Sequence, residues 1–280
     1  MNKVVLGERL VPNIFHLIIE APEIAASARP GQFVMIIPDE HGERLPLNIA
    51  DWDKNRGTIE VVFMNLGVST RKLANFQTGE FLEGVAGPLG QAAEIGQFGH
   101  VLLVGGCFGL AGLYPLARQL KERGNRVIFL AEARDQAYLY WESRIKKVVD
   151  EFLTLFRTDC FGSGESLAEM ILNLKNKKPE LSRVIVMGCS YLLFTVSEIT
   201  RNTGLKTMVN LNPIMVDGTG LCGACRVTVN GKTYFACVNG PEFDGHGVDW
   251  EEYFNRRRAF LSQEELALAN LEKKVSESQE

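Results

Sequence analysis

Four side chains able to ligate iron stand near the carboxyl end of the chain: Asp217, Cys222, Cys225 and Cys237. Four residues separate the first two, two separate Cys222 from Cys225, and eleven precede Cys237. This is the C-x4-C-x2-C spacing of plant-type [2Fe-2S] sites, with a distant fourth cysteine and an aspartate in the first position. A carboxylate keeps the ligand charge but is harder than a thiolate, so it favours ferric iron and lowers the potential. Gly218, Gly220 and Gly223 let such a loop close around inorganic sulfide without Cβ clashes. Two other readings stay open: three cysteines holding zinc with His246 as fourth ligand, and Asp217 serving only a turn.

A second set of residues suits phosphate. Residues 101–112 run from an apolar strand through Gly105, Gly106 and Gly109 into a helix, where free backbone amides can meet a nucleotide. Glu132, at the end of the next strand, is placed to accept from a ribose hydroxyl and favours NAD over NADP, a preference that Arg134 blurs. Earlier in the chain, Arg44-Leu-Pro-Leu47-Asn48-Ile49 opens a strand, and an arginine there can pair with a pyrophosphate by a charge-assisted fork. Asn48 is then within reach of a flavin ring nitrogen. Gly67, Ser69 and Thr70 offer amides and hydroxyls before a helical run over 70–75. Each of these is also compatible with an ordinary strand or helix start. Cys107, Cys160 and Cys189 are expected as small buried residues near strand ends. No triad or paired catalytic carboxylates stand out, so no catalytic acid or base is assigned.

The elements that must position these groups fall into three grammars. Residues 3–8, 14–20, 32–38, 48–52, 58–64 and 81–86 read as short strands bounded by Gly and Pro, the pattern of an antiparallel barrel. From His100 the pattern alternates between strands at 101–105, 126–131 and 183–187 and helical segments such as 113–123, which marks a doubly wound parallel sheet. The boundary falls at 96–99. After Gly204, a strand over 206–216 leads to the cysteine loop and a hairpin, 226–229 and 232–238, about Asn230-Gly231. This last unit is too small to bury much alone, and a bound metal centre supplies the missing constraint. The predicted domains are residues 1–97, 98–205, 206–248 and a helical tail, 249–280, in which Ser262 and Glu265 form a capping box and Leu268, Leu271 and Val275 line one face.

Bulk properties exclude other classes. The 280 residues carry a net charge of −4 from 30 basic and 34 acidic side chains, so neither nucleic acid nor another polyanion is expected as a partner. The amino-terminal residues lack the order of a signal peptide, and the longest uncharged stretch, 101–117, holds four glycines and Pro115. A cytoplasmic protein without membrane insertion is expected, in whose reducing surroundings clustered thiols bind metal.

Taken in order, these pieces resemble the ferredoxin-NADP reductase superfamily. Within it they resemble the branch of small electron-transfer subunits found in NADH-dependent reduced ferredoxin:NADP oxidoreductase and in dihydroorotate dehydrogenase. The resemblance covers residues 1 to 260 and rests on the segments 44–51, 87–90, 211–222 and 240–245. It implies an FAD-binding β-barrel followed by a nicotinamide-nucleotide-binding α/β domain and a small [2Fe-2S] hairpin module. By matching positions it places FAD on Arg44, Leu47, Asn48, Ile49, Gly67, Ser69 and Thr70, and NAD(P)H along Gly105, Gly106, Gly109 and Glu132. It implies an oxidoreductase subunit that moves electrons between NAD(P)H, FAD and the cluster, to or from a larger flavin and iron–sulfur subunit and through it to ferredoxin. Departures stand at Cys107-Phe108 and at Gly188-Cys-Ser-Tyr191-Leu-Leu-Phe194, where bulk replaces small residues. A redox adapter without nicotinamide chemistry is the alternative that follows, beside a subunit for dihydroorotate oxidation.

Overall fold

Runs of β-branched and aromatic residues in the first third pair with one another. The computed structural model describes residues 1–156 and 165–277. Its first strands are β1 (Asn2–Val11), β2 (Ile14–Glu20), β3 (Phe33–Ile37), β4 (Leu45–Asp53), β5 (Thr58–Met64), β6 (Phe81–Leu82) and β7 (Gly84–Leu89), with α1 (Pro22–Ser27) and α2 (Val68–Ala74) between them. Their order is β6-β1-β2-β5-β4-β3-β7, and every neighbouring pair is antiparallel. Glu83 alone separates the two strands at the ends of this order, so the sheet curls into a barrel. Val4, Leu17, Ile19, Val34, Ile36, Ile49, Ile59 and Val61 fill it.

The second unit runs β8 (His100–Gly106), α3 (Gly109–Glu122), β9 (Arg126–Ala133), α4 (Glu142–Lys146), β10 (Glu151–Phe156), α5 (Glu165–Lys177), β11 (Leu181–Met187), α6 (Ser190–Thr200) and β12 (Lys206–Asn210). The strands lie parallel in the order β10-β9-β8-β11-β12. Residues 101–104, 127–131 and 184–187 are buried without a break, as strands covered on both faces must be. Strand order reverses between β8 and β11, which opens a crevice at their carboxyl ends.

The carboxyl-terminal part is β13 (Arg226–Val229), β14 (Lys232–Phe235), α7 (Ala236–Asn239), β15 (Glu242–Asp244), α8 (Trp250–Arg257) and α9 (Leu261–Glu277). Asn230 and Gly231, both at positive φ, turn the hairpin. The small unit does not stand apart. β15 returns to the parallel sheet as an antiparallel edge on β12, and Val227, Ala236 and Cys237 share one core with Val209 and with Phe33 and Met35 of the barrel.

Four expectations are corrected here. The strand expected over 206–216 stops at Asn210, because Leu211 donates its amide to Pro241 and Pro213 has no amide to offer a ladder. The strand expected through Val238 ends at Phe235, and Cys237 sits on the helical turn α7, where the Asn239 side chain accepts from the Phe235 amide at 3.0 Å. Helix α9 begins at Leu261, with the Glu264 amide donating to Phe260, so Ser262 lies inside the helix and is not its cap. Residues 68 and 69 belong to α2 and do not precede it. In the tail, Leu268 and Leu271 are half-buried, and the side chain of Val275 lies outside the described residues. Among the described residues no helix is long and apolar enough to cross a membrane.

Candidate redox site

The crevice between β8 and β11 is built by glycines. A Cβ on Gly109 would lie 2.1 Å from the Met187 carbonyl oxygen, so only glycine lets the start of α3 seat against the end of β11. Gly106 lies opposite Glu132 in register, and a Cβ there would stand 3.2 Å from Glu132 Oε2. Gly105 packs under Leu110 and Leu113. The loop between holds Cys107 at φ +51, a strained position for a side chain. Sequence reasoning missed what pins it: the buried Tyr140 hydroxyl donates to the Cys107 carbonyl at 2.8 Å and accepts from the Ala111 amide at 3.3 Å. Burial pushes the Tyr140 phenol well above its usual range. Cys107 and Cys189 are half-buried, not buried as expected, because both lie in the two loops that rim the crevice; Cys160 is outside the described residues. Phe108 and Tyr191 stand on the same rims, both half-buried.

On the barrel, alternation along β4 divides the predicted flavin residues. Ile49 is buried in the barrel core and Leu47 packs beside it, while Asn48 points to the other domain, its Nδ2 3.8 Å from Met187 Sδ. A Cβ on Gly112 of α3 would stand 3.2 Å from the same nitrogen. Arg44 is exposed immediately before β4. At α2, Gly67 is the cap residue, and Thr70 Oγ1 accepts from the Leu66 and Gly67 amides at 2.9 Å each. The Ser69 hydroxyl donates to the Glu43 carboxylate. An anionic group thus already lies against the first turn of α2, one residue from Arg44, a place suited to a phosphate.

The cysteine loop forms two pairs. Cys225 and Cys237 are buried, with Sγ atoms 3.2 Å apart. Cys222 is exposed, and its amide donates to Asp217 Oδ2 at 2.7 Å while its thiol turns to the same carboxylate. Asp217 Oδ1 accepts from the amides of Thr219 at 2.8 Å and Gly220 at 3.3 Å; these bonds, Thr219 foremost, hold its pKa below the ordinary carboxylate value. Burial, then the Cys225 thiol, pushes Cys237 up. Among the described residues no three His, Cys, Asp or Glu side chains close around a single ion. A two-iron centre asks instead for two ligands on each iron, which the pairs Asp217/Cys222 and Cys225/Cys237 fit. His246 is not near them: its Nε2 pairs with Thr200 Oγ1 at 3.0 Å, which removes it as a zinc ligand.

These parts meet. A Cβ on Gly218, at φ +77, would fall 2.7 Å from Met35 Cγ on β3, the strand paired with β4. The Gln91 amide and Nε2, just past the barrel, donate to the Gly240 and Val238 carbonyls at 2.6 and 2.9 Å, beside Cys237. Across the seam Asp51 takes Arg118 at 2.8 Å and also Arg144, whose other arm reaches Glu60 at 2.7 Å; His16 bridges Glu60 to Glu8. The Arg144 guanidinium lies 4.1 Å from the Trp141 ring centre.

Comparison with known proteins finds relatives along the whole chain. Residues 212–249 match the family model of the iron–sulfur cluster binding domain of dihydroorotate dehydrogenase B. The chain is 37% identical over its whole length to a dihydroorotate dehydrogenase B electron transfer subunit homolog of Thermotoga maritima, covering 98% of that protein. It is 27% identical to the electron transfer subunit itself from Enterococcus faecalis, over 89% of this chain and 97% of that one. A chain of the NADH-dependent reduced ferredoxin-NADP oxidoreductase structure superposes with a TM-score of 0.88 at 36% identity, covering 97% of this chain and 98% of that one. Phthalate dioxygenase reductase, at 14% identity and a TM-score of 0.59, shares the fold. The fold and the site together define an electron-transfer chain of an oxidoreductase, built on the ferredoxin reductase plan. It belongs to the family of dihydroorotate dehydrogenase B electron-transfer subunits and their homologues.

Proposed function

We propose that this chain carries electrons between NAD(P)H, FAD and a [2Fe-2S] cluster on behalf of a larger flavin and iron–sulfur subunit in the cytoplasm, with ferredoxin reached through that subunit. The domains run 1–97, 98–205 and 206–248, with the tail from 249. In this reading Arg44, Leu47, Asn48, Ile49, Gly67, Ser69 and Thr70 hold FAD, and Gly105, Gly106, Gly109 and Glu132 lie along the nucleotide. Asp217, Cys222, Cys225 and Cys237 ligate the cluster. Bound flavin supplies the exchange between two-electron and one-electron chemistry, and the protein supplies orientation. Arg44 and the first turn of α2 would neutralise the pyrophosphate, with the Ser69 hydroxyl, now on the Glu43 carboxylate, as a further donor. Asn48 fixes the ring at the seam, and Glu132 accepts from a ribose hydroxyl.

The observation that carries this reading is the convergence at one seam. Asn48 reaches Met187 at the crevice, while Gly218 of the cysteine loop packs on Met35 of the next strand. One observation favours the adapter reading: Tyr140 already takes the Ala111 amide in the first turn of α3, and Phe108 caps that turn.

Iron, sulfide and flavin content with anaerobic titration tests both. About two irons and two sulfides per chain are expected. Asp217→Ala is expected to lose iron and Asp217→Cys to keep it with a shifted potential. NADH or NADPH bleaches the flavin if the crevice works; no bleaching with either, at full flavin and iron content, leaves the adapter. A chain without iron defeats both.

A further inference from the structure

Between the barrel and α3 lies a cavity of about 830 Å3 whose lining includes none of the residues assigned to the flavin, the nucleotide or the cluster. Arg29, in the turn between α1 and β3, lines it, as do Lys54 beyond β4 and Arg123 at the end of α3. All three are exposed, and among the described residues none of them makes an ion pair. Asp53, the acid next to Lys54, turns Oδ1 onto the Asn55 and Arg56 amides at 2.9 and 3.0 Å and does not line the cavity. Arg118 also lines the cavity, but it is paired to Asp51 and lies over the Trp52 ring, 5.6 Å from its centre. Trp52 supplies the apolar wall.

The charges decide what fits. Three unpaired cations face one acid, Glu122, and the carboxyl end of α3, which contributes about −0.5, leaving roughly +1.5 in one concavity. This stands on a chain whose net charge is −4. Solvated surface arginines are common, but these converge from two domains on one cavity of a size that takes small ligands. We propose that this cavity binds an oligophosphate, free or as the phosphate tail of a nucleotide, held by Arg29, Lys54 and Arg123. Such a ligand ties the α1–β3 and β4–β5 turns of the barrel to the end of α3, and so holds the two domains together.

Isothermal titration of the intact, cofactor-loaded protein with inorganic tripolyphosphate tests this, since that probe has no ring to enter the flavin or nicotinamide sites. One binding event is expected, weakened roughly tenfold or more by the double substitution Arg29→Glu/Arg123→Glu and in the same direction by Lys54→Glu. Raising the salt weakens it further. Glu132→Gln, in the crevice, is expected to leave it unchanged. Tighter binding of ATP than of tripolyphosphate, lost in Trp52→Leu, identifies a nucleotide; equal binding identifies the free oligophosphate. No saturation below about 10 mM, or equal binding by the charge-reversed proteins, overturns the proposal.

Discussion

At the residue scale, the crevice depends on what is missing from its side chains. Gly109 has no room for a Cβ, since the nearest atoms are the Met187 carbonyl group and the Gly188 amide nitrogen at 2.1 to 2.7 Å, all backbone. Backbone cannot rotate away as a flexible side chain can, so Gly109→Ala must push α3 off β11. The expected cost is about 2–3 kcal/mol, read from urea melts, with Gly67→Ala, which has open space around its Cα, as the mild comparison. A Gly109→Ala protein as stable as the parent would mean that the two loops are not packed as described.

At the scale of elements, the strands β2 and β5 were legible to the residue because apolar alternation, β-branching and flanking turn residues agree there. The turn and pairing of β13 and β14 were plain from Asn230-Gly231, though not where β14 ends. What stayed hidden depended on tertiary partners. β10, Glu-Phe-Leu-Thr-Leu-Phe, has no clean apolar alternation and finds its place only beside β9. α7 is one turn, set by Asn239 and by the cysteine pair, and carries no helical period. The spacing within the cysteine loop is local and can be read from sequence, whereas the seam of Asp51, Glu60, Arg118 and Arg144 draws on four separate elements. Tyr140 belongs to this second kind. Tyr140→Phe leaves the Cys107 carbonyl and the Ala111 amide without that partner and is expected to cost about 1–2 kcal/mol. Amide exchange at Ala111 should quicken, and unchanged protection there would remove Tyr140 from its pinning role.

For the whole molecule, two half-buried carboxyls on different seams set opposite limits on stability. Burial alone would raise Glu60, yet His16 and Arg144 outweigh it and hold the group at about 2. Its folded pKa lies below the ordinary 4.5, so its contribution is complete above about pH 4.5 and is lost as pH falls toward 2. Glu242 goes the other way. Its Oε2 is shut away without a hydrogen-bond partner among the described residues, and burial raises the group to about 7 against the pull of Arg183. The unfolded chain then releases that proton earlier than the fold does, so stability declines as pH climbs from about 4.5 to 7 and levels off beyond. Each is worth on the order of 3 kcal/mol between its two limits. The two together predict a maximum near pH 4.5 to 5, on the acid side of neutrality. Glu242→Gln is expected to flatten the descent between 4.5 and 7 while leaving the acid limb, and Glu60→Gln to flatten the acid limb alone. Denaturant melts across pH 3 to 8 separate the two, and a neutral descent that survives Glu242→Gln would place its source elsewhere.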